Sequence, residues 1–121
     1  MPNYLLNLLE RIWHHFTSVL AEELTTDDYA ALMTQLLFLK MDEEHTKPPY
    51  NKPAVISQEY GWQSLISCNE KQLLQQYALI TSILSKKEEN FSKLFKRQIP
   101  IKSTEDLRYL IELIEKGTWL N

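Results

Sequence analysis

Two glycines in 121 residues, Gly61 and Gly117, stand too far apart to form any Gly-x-Gly turn. Phosphate-binding loops and dinucleotide fingerprints both need closely spaced glycines, so that backbone N–H groups can approach a phosphate. Neither can be built from this chain. Cysteine is equally scarce. Cys68 alone cannot form an internal disulfide, which fits a reducing compartment, and it has no Cys or His neighbour at zinc spacing. Long apolar runs are missing as well. The opening residues carry no basic leader, and Asn7, Glu10 and Arg11 interrupt their apolar stretch. Neither a signal peptide nor a membrane span is therefore expected, and the expected location is the cytoplasm. Period-two alternation is also absent over any useful length, so no sheet is predicted.

What is present is helical patterning. An apolar fraction of 44% with 24% charged residues describes an ordinary globular chain, and the length suits one domain spanning residues 1–121. From Tyr4 to about Glu23, Leu5, Leu8, Leu9, Ile12, Trp13, Phe16, Val19 and Leu20 recur at steps of three and four and predict one amphipathic helix. Thr25-Thr26-Asp27-Asp28 offers a capping hydroxyl followed by acids. It opens a second helix over about Asp27–Glu44 that buries Tyr29, Leu32, Met33, Leu36 and Leu37. The short joint between the two predicts an antiparallel hairpin. Pro48, Pro49 and Pro53 then forbid a helix and favour an extended loop. A short helical turn is expected at Trp62–Leu65. Asn69 can cap a third long helix that buries Leu73, Leu74, Tyr77, Ile80, Ile83 and Leu84. A fourth segment lies at Asn90–Phe95, before the Ile99–Ile101 crossing. Ser103 and Asp106 form a capping-box-like start for the last helix, and Gly117 is expected to stop it. The predicted fold is all-α, an orthogonal or irregular bundle of four to six helices in a single domain.

Charge is distributed unevenly. The net value of −3 disfavours a protein that coats nucleic acid by bulk electrostatics. Residues 1–45 carry eight carboxylates against Arg11 and Lys40, a balance of −6. Residues 86–102 carry Lys86, Lys87, Lys93, Lys96, Arg97 and Lys102 against Glu88 and Glu89, a balance of +4. The basic segment is either a solvated helix–loop surface or a contact for DNA phosphates or an acidic partner.

Candidates for chemistry are few. His14 and His15 are sequence neighbours, so on a helix they point about 100° apart and cannot grip one metal ion. His45 suits the negative end of the second helix. Glu22-Glu23, Asp27-Asp28 and Glu43-Glu44 splay apart on helices and read as caps or solvated ends. Cys68 lacks a neighbouring base. Pro48-Pro49-Tyr50 resembles part of the Asn/Asp-Pro-Pro-Tyr/Phe motif of amino-methyltransferases, where the first side chain accepts a hydrogen bond from the target amine. Lys47 occupies that position here, and an ammonium can only donate. With too few glycines for an S-adenosylmethionine loop, the chain carries no catalytic, cofactor-binding or metal-binding residue of its own.

One family accounts for the order of these pieces. Tyr29-Ala30-Ala31-Leu32-Met33-Thr34-Gln35 leads into Leu36-Leu37-Phe38-Leu39-Lys40-Met41. A loop and Tyr60-Gly61-Trp62-Gln63-Ser64-Leu65 follow. Next come the helix through Gln76-Tyr77, the Phe91/Phe95 segment and a capped helix ending near Trp119. From about residue 5 to 120 the chain resembles the helical N-terminal domain of type I restriction–modification M (modification) subunits. The resemblance implies that the parent enzyme transfers a methyl group from S-adenosylmethionine to adenine N6. It further implies a specificity (S) subunit, a second M subunit and a restriction subunit as partners, with DNA held by the assembled complex. The catalytic motifs are then expected beyond Asn121, with this chain an excised domain or a truncated gene product. Lys86, Lys87, Lys93, Lys96 and Arg97 are the candidate contacts to DNA or a partner. The alternative is a free-standing helical adaptor or regulatory DNA-binding protein, although no short helix-turn-helix pair carries a basic recognition helix.

Overall fold

The structure, a computed structural model, describes residues 3–120. Five α-helices run in chain order: α1 (Asn3–His15), α2 (Thr26–His45), α3 (Trp62–Ile66), α4 (Leu73–Ser85) and α5 (Thr104–Glu115). Shorter helical turns at Phe16–Leu20, Gln58–Tyr60, Glu70–Gln72 and Asn90–Phe95 join them. The fold is all-α, with no strand among the described residues. No described helix is long and apolar enough to cross a membrane.

α2 is the central helix, and its cap explains where it begins. Thr25 Oγ1 accepts from Asp28 N at 3.0 Å, and Asp28 Oδ2 accepts from Thr25 N at 3.1 Å, a complete capping box. The buried positions of α2 (Asp28, Leu32, Met33, Gln35, Leu36, Leu39, Lys40, Asp42) cover about half its circumference at 100° per residue. Sequence periodicity points to a narrower apolar stripe. Tyr29 and Leu37 are only half-buried, while Leu39 is fully buried. A helix enclosed this widely brings polar residues inside, and each needs a partner there.

The first predicted helix is not one uniform α-helix. It changes at His15 into a π-helical turn, Phe16–Leu20. Ile12, Phe16, Leu20 and Leu24 are all buried, and they are spaced by fours. A step of four on an α-helix overshoots one turn by about 40°, so three such steps drift off the core. The widened turn cancels that drift. Trp13 and Val19 fall outside the inward face and are about half exposed, contrary to the expected stripe. Nor do α1 and α2 form a side-by-side hairpin. α1 lies mainly against α5. Near the joint, the Trp13 ring of α1 and the Phe16 ring of the π-helical turn pack on Tyr29 of α2.

One other expectation changes. The proline segment is folded at its start. The Lys47 carbonyl accepts from Tyr50 N and Asn51 N, both at 3.0 Å, and Lys52 N donates to the His45 carbonyl at 2.8 Å. Prolines lack N–H groups, but the residues flanking them close the turn. The Pro48–Pro49 bond is cis, and Asn51 sits in the left-handed region that asparagine tolerates. Gly117 follows the end of α5 and its C-cap Lys116, and it does so without positive φ. A Cβ there would lie 2.8 Å from Leu5 Cδ2 and 2.8 Å from Trp119 Cε2. Glycine is needed for close packing, not for a turn. The remaining caps match the sequence reading. Asn69 Oδ1 accepts from Gln72 N at 3.0 Å at the entry to α4, and Ser103 Oγ accepts from Asp106 N at 3.1 Å at the start of α5.

Candidate functional site

The residues that carry the family resemblance converge in space. Lys40 is buried on α2, so its ammonium must be neutralised inside. Its Nζ lies 2.9 Å from Glu115 Oε1 at the end of α5 and 3.5 Å from Glu44 Oε2 one turn on. Trp62 Nε1 donates to the same Glu115 Oε1 at 3.1 Å. The Leu36–Met41 and Tyr60–Leu65 motifs thus meet at one carboxylate. Glu44 extends the network to the end of the chain, accepting from Trp119 N and Leu120 N, each at 2.9 Å. The sequence signal for this knot is a lysine within an apolar helical run. Its partner 75 residues away carries no signal at all.

A second internal network joins the middle elements. The Tyr77 hydroxyl donates to Gln35 Oε1. Gln35 Nε2 donates to the carbonyls of Leu94 and Arg97, both at 3.0 Å. Burial pushes the Tyr77 hydroxyl far above its ordinary range, so it stays protonated and remains a donor. Next to it, Gln76 Nε2 reaches the Glu59 carbonyl at 3.2 Å and Ser64 Oγ at 3.1 Å, which ties α4 to the segment before Trp62. These groups are fully engaged with one another. Their arrangement holds structure and offers no free acid, base or nucleophile.

The other candidates are likewise accounted for by local contacts. Tyr50, from Pro48-Pro49-Tyr50, packs its ring against His45 and donates its hydroxyl to the Leu120 carbonyl at 2.6 Å. It anchors the last residues instead of presenting a stacking surface. His15 Nε2 lies 3.1 Å from Asp106 Oδ1, and its ring rests on Tyr109, bridging α1 to α5. Glu23 accepts from Lys102 N at 2.8 Å. Cys68 is half-buried, and its carbonyl accepts from Arg108 Nη2 at 2.6 Å. Trp62 is core and Trp119 is half-buried, which leaves Trp13 as the exposed tryptophan.

A cleft of about 440 Å³ opens between the end of α2, residues 54–58 and α3, with Leu39, Ile56 and Trp62 at its floor. Its size is that of a small-molecule site. Much of its polar lining, however, is already engaged. Asp42 accepts from Val55 N at 2.9 Å and Ile56 N at 3.1 Å, and Glu43 accepts from Gln63. Ser64 and Ser67 donate to backbone carbonyls at 2.7 and 2.6 Å. Lys47 and Gln58, both exposed, complete the polar lining.

The basic segment divides. Arg97 Nε lies 3.0 Å from Asp28 Oδ1, so its charge is matched within the fold. The Thr25 amide, and Arg97 after it, hold the Asp28 carboxyl below the usual carboxylate range. Lys86, Lys87, Lys93 and Lys96 are exposed, with no carboxylate within 4 Å among the described residues. These four are the free part of the predicted contact set.

No protein-family model matches this chain. The functional reading therefore rests on the order of the motifs and on how the side chains are used.

Proposed function

We propose that this chain is the non-catalytic, helical N-terminal domain of a type I restriction–modification M subunit. It serves subunit assembly and closure around DNA. The parent enzyme is an S-adenosylmethionine-dependent adenine-N6 methyltransferase working with an S subunit, a second M subunit and a restriction subunit. The observation that carries the reading is the ordered set of motifs, reinforced by their meeting at Glu115 through Lys40 and Trp62. A shared internal role gives a physical reason for these residue types to occur together. Methyl transfer belongs to glycine-rich and Asn-Pro-Pro-Phe/Tyr segments that these 121 residues do not contain.

The test is the coding sequence after Asn121. Continuation into a glycine-rich loop and Asn-Pro-Pro-Phe/Tyr is the expected result. A stop codon with no S-subunit gene beside it would sink the proposal and leave a free-standing helical adaptor. A biochemical arm supplies the remainder of the M polypeptide and the S subunit separately. Adding this chain should restore N6-adenine methylation of duplex DNA, while the chain alone should give none.

A further inference from the structure

The cleft between the end of α2, residues 54–58 and α3 combines three negative features. Asp42 and Glu43 both line it, and α2 turns its C-terminal end to it at Thr46 and Lys47, where the helix dipole leaves partial negative charge. Asp28 and Asp42 are the buried carboxylates among the described residues, and a buried charge calls for a counter-charge. Asp28 has the Arg97 guanidinium at 3.0 Å. Asp42 has no cation within 4 Å among the described residues, and neither has Glu43. The two oxygens of Asp42 accept one backbone N–H each, from Val55 and Ile56, and Glu43 Oε1 accepts from Gln63. A carboxylate offers about four lone-pair sites, so both side chains keep acceptor capacity. Lys47 follows Glu43 by one helical turn, yet it pairs with neither carboxylate and stands exposed at the rim.

We infer that this cleft binds a small organic cation, an amine with an apolar body. Its ammonium donates to the acceptor sites that Asp42 and Glu43 keep, and its body lies over the floor of Leu39, Ile56 and Trp62. A cleft of about 440 Å³ has the size for such a molecule. The walls are set before any ligand arrives. Asp42 pins residues 55 and 56 to α2, Glu43 holds Gln63, and Gln76 ties Ser64 to α4. Walls fixed in this way lower the ordering cost of binding. An anion would meet two carboxylates and a helix C-terminus against one exposed lysine, and a neutral ligand would leave Asp42 without a counter-charge. The inference goes beyond the proposed function and fails or holds independently of the sequence after Asn121.

The test titrates the isotopically labelled 121-residue chain with three molecules of one shape and follows its amides by NMR. These are tryptamine, a cation at neutral pH, the alcohol tryptophol and the anion indolepropionate. The Val55 and Ile56 amides report directly, because they donate to Asp42. Tryptamine should shift them saturably and bind about fivefold more tightly than tryptophol, with indolepropionate weakest. Glu43→Gln should weaken tryptamine binding about threefold. Glu112→Gln, the same charge change at an exposed position of α5, should leave it unchanged. Lys47→Gln should tighten binding about twofold by removing a like charge from the rim. Ala54→Trp, at an exposed lining position, should block the cleft while the circular dichroism of the helices stays the same. Equal affinity for amine and alcohol would reduce the cleft to an apolar surface and overturn the inference. So would tighter binding of indolepropionate, equal loss in Glu112→Gln, or the absence of saturable shifts at Val55 and Ile56. Tighter binding of a capped lysine tripeptide than of tryptamine would reassign the cleft to the side chain of a protein partner, which also overturns it.

Discussion

Lys40 shows how one residue can look anomalous in sequence and be explained in space. Within Leu36–Met41 it interrupts an apolar run, and in the fold it lies between Glu44 and Glu115. Replacing only one partner of such a group leaves a charge poorly compensated. Glu115 retains some solvent access, so the cost is moderated by screening. Lys40→Met is expected to destabilise the protein by about 1–3 kcal/mol in urea denaturation. Adding Glu115→Gln should recover part of the loss, because the amide oxygen still accepts from Trp62 while the carboxylate left unpaired by the loss of Lys40 is removed. Greater loss in the double variant would refute this account. Gly117 illustrates the opposite case, a residue plain in sequence whose packing role shows only in space. A methyl group there strikes Leu5 and Trp119, so Gly117→Ala should lower stability by about 1–3 kcal/mol, whereas a left-handed cap would have required positive φ. A melting temperature equal to the parent's would show that Trp119 moves aside freely.

At the scale of elements, helix starts were legible and helix interiors less so. Asn69 and Ser103 act through local hydrogen bonds, which is why their caps can be read from neighbouring residues. The π-helical turn at Phe16–Leu20 was hidden, although three successive four-residue steps from Ile12 to Leu24 are its trace in the sequence. The burial of Gln35 was equally hidden, because its partners lie on α4 and on the 90–97 segment. That contact is the element-level test. Tyr77→Phe removes the donor and leaves Gln35 Oε1 buried and unsatisfied, which should cost about 1–3 kcal/mol. Hydrogen exchange should accelerate in the Asn90–Phe95 turn as well as around α4, since Gln35 fixes that turn from beneath. An effect confined to α4 would mean that Gln35 holds the turn without Tyr77.

On the scale of the whole molecule, the all-α fold follows from the apolar periodicity, while the free surface emerges only when internal pairs are taken away. Arg97 and the four lysines look alike in sequence, and Asp28 alone separates them. Asp28 and Glu44 also mark the two ends of α2, sixteen residues and therefore about 24 Å apart along the helix. Asp28 ties the helix start to Arg97, and Glu44 ties its end to Trp119 and Leu120. With one core and no shared partner, Asp28→Asn and Glu44→Gln should destabilise additively to within about 0.5 kcal/mol, in a single unfolding transition. The pH dependence supplies a second reading of Asp28. The carboxyl of Asp28 titrates below its ordinary value in the folded state, so its stabilisation is complete above about pH 4 and is lost as pH falls through the lowered value. The parent should therefore lose stability in acid more steeply than Asp28→Asn, and the two stability curves should converge there. Parallel curves down to the acid limit would remove Asp28 as the titrating group. Non-additivity well above the stated margin would instead show that the two ends of α2 communicate through the core.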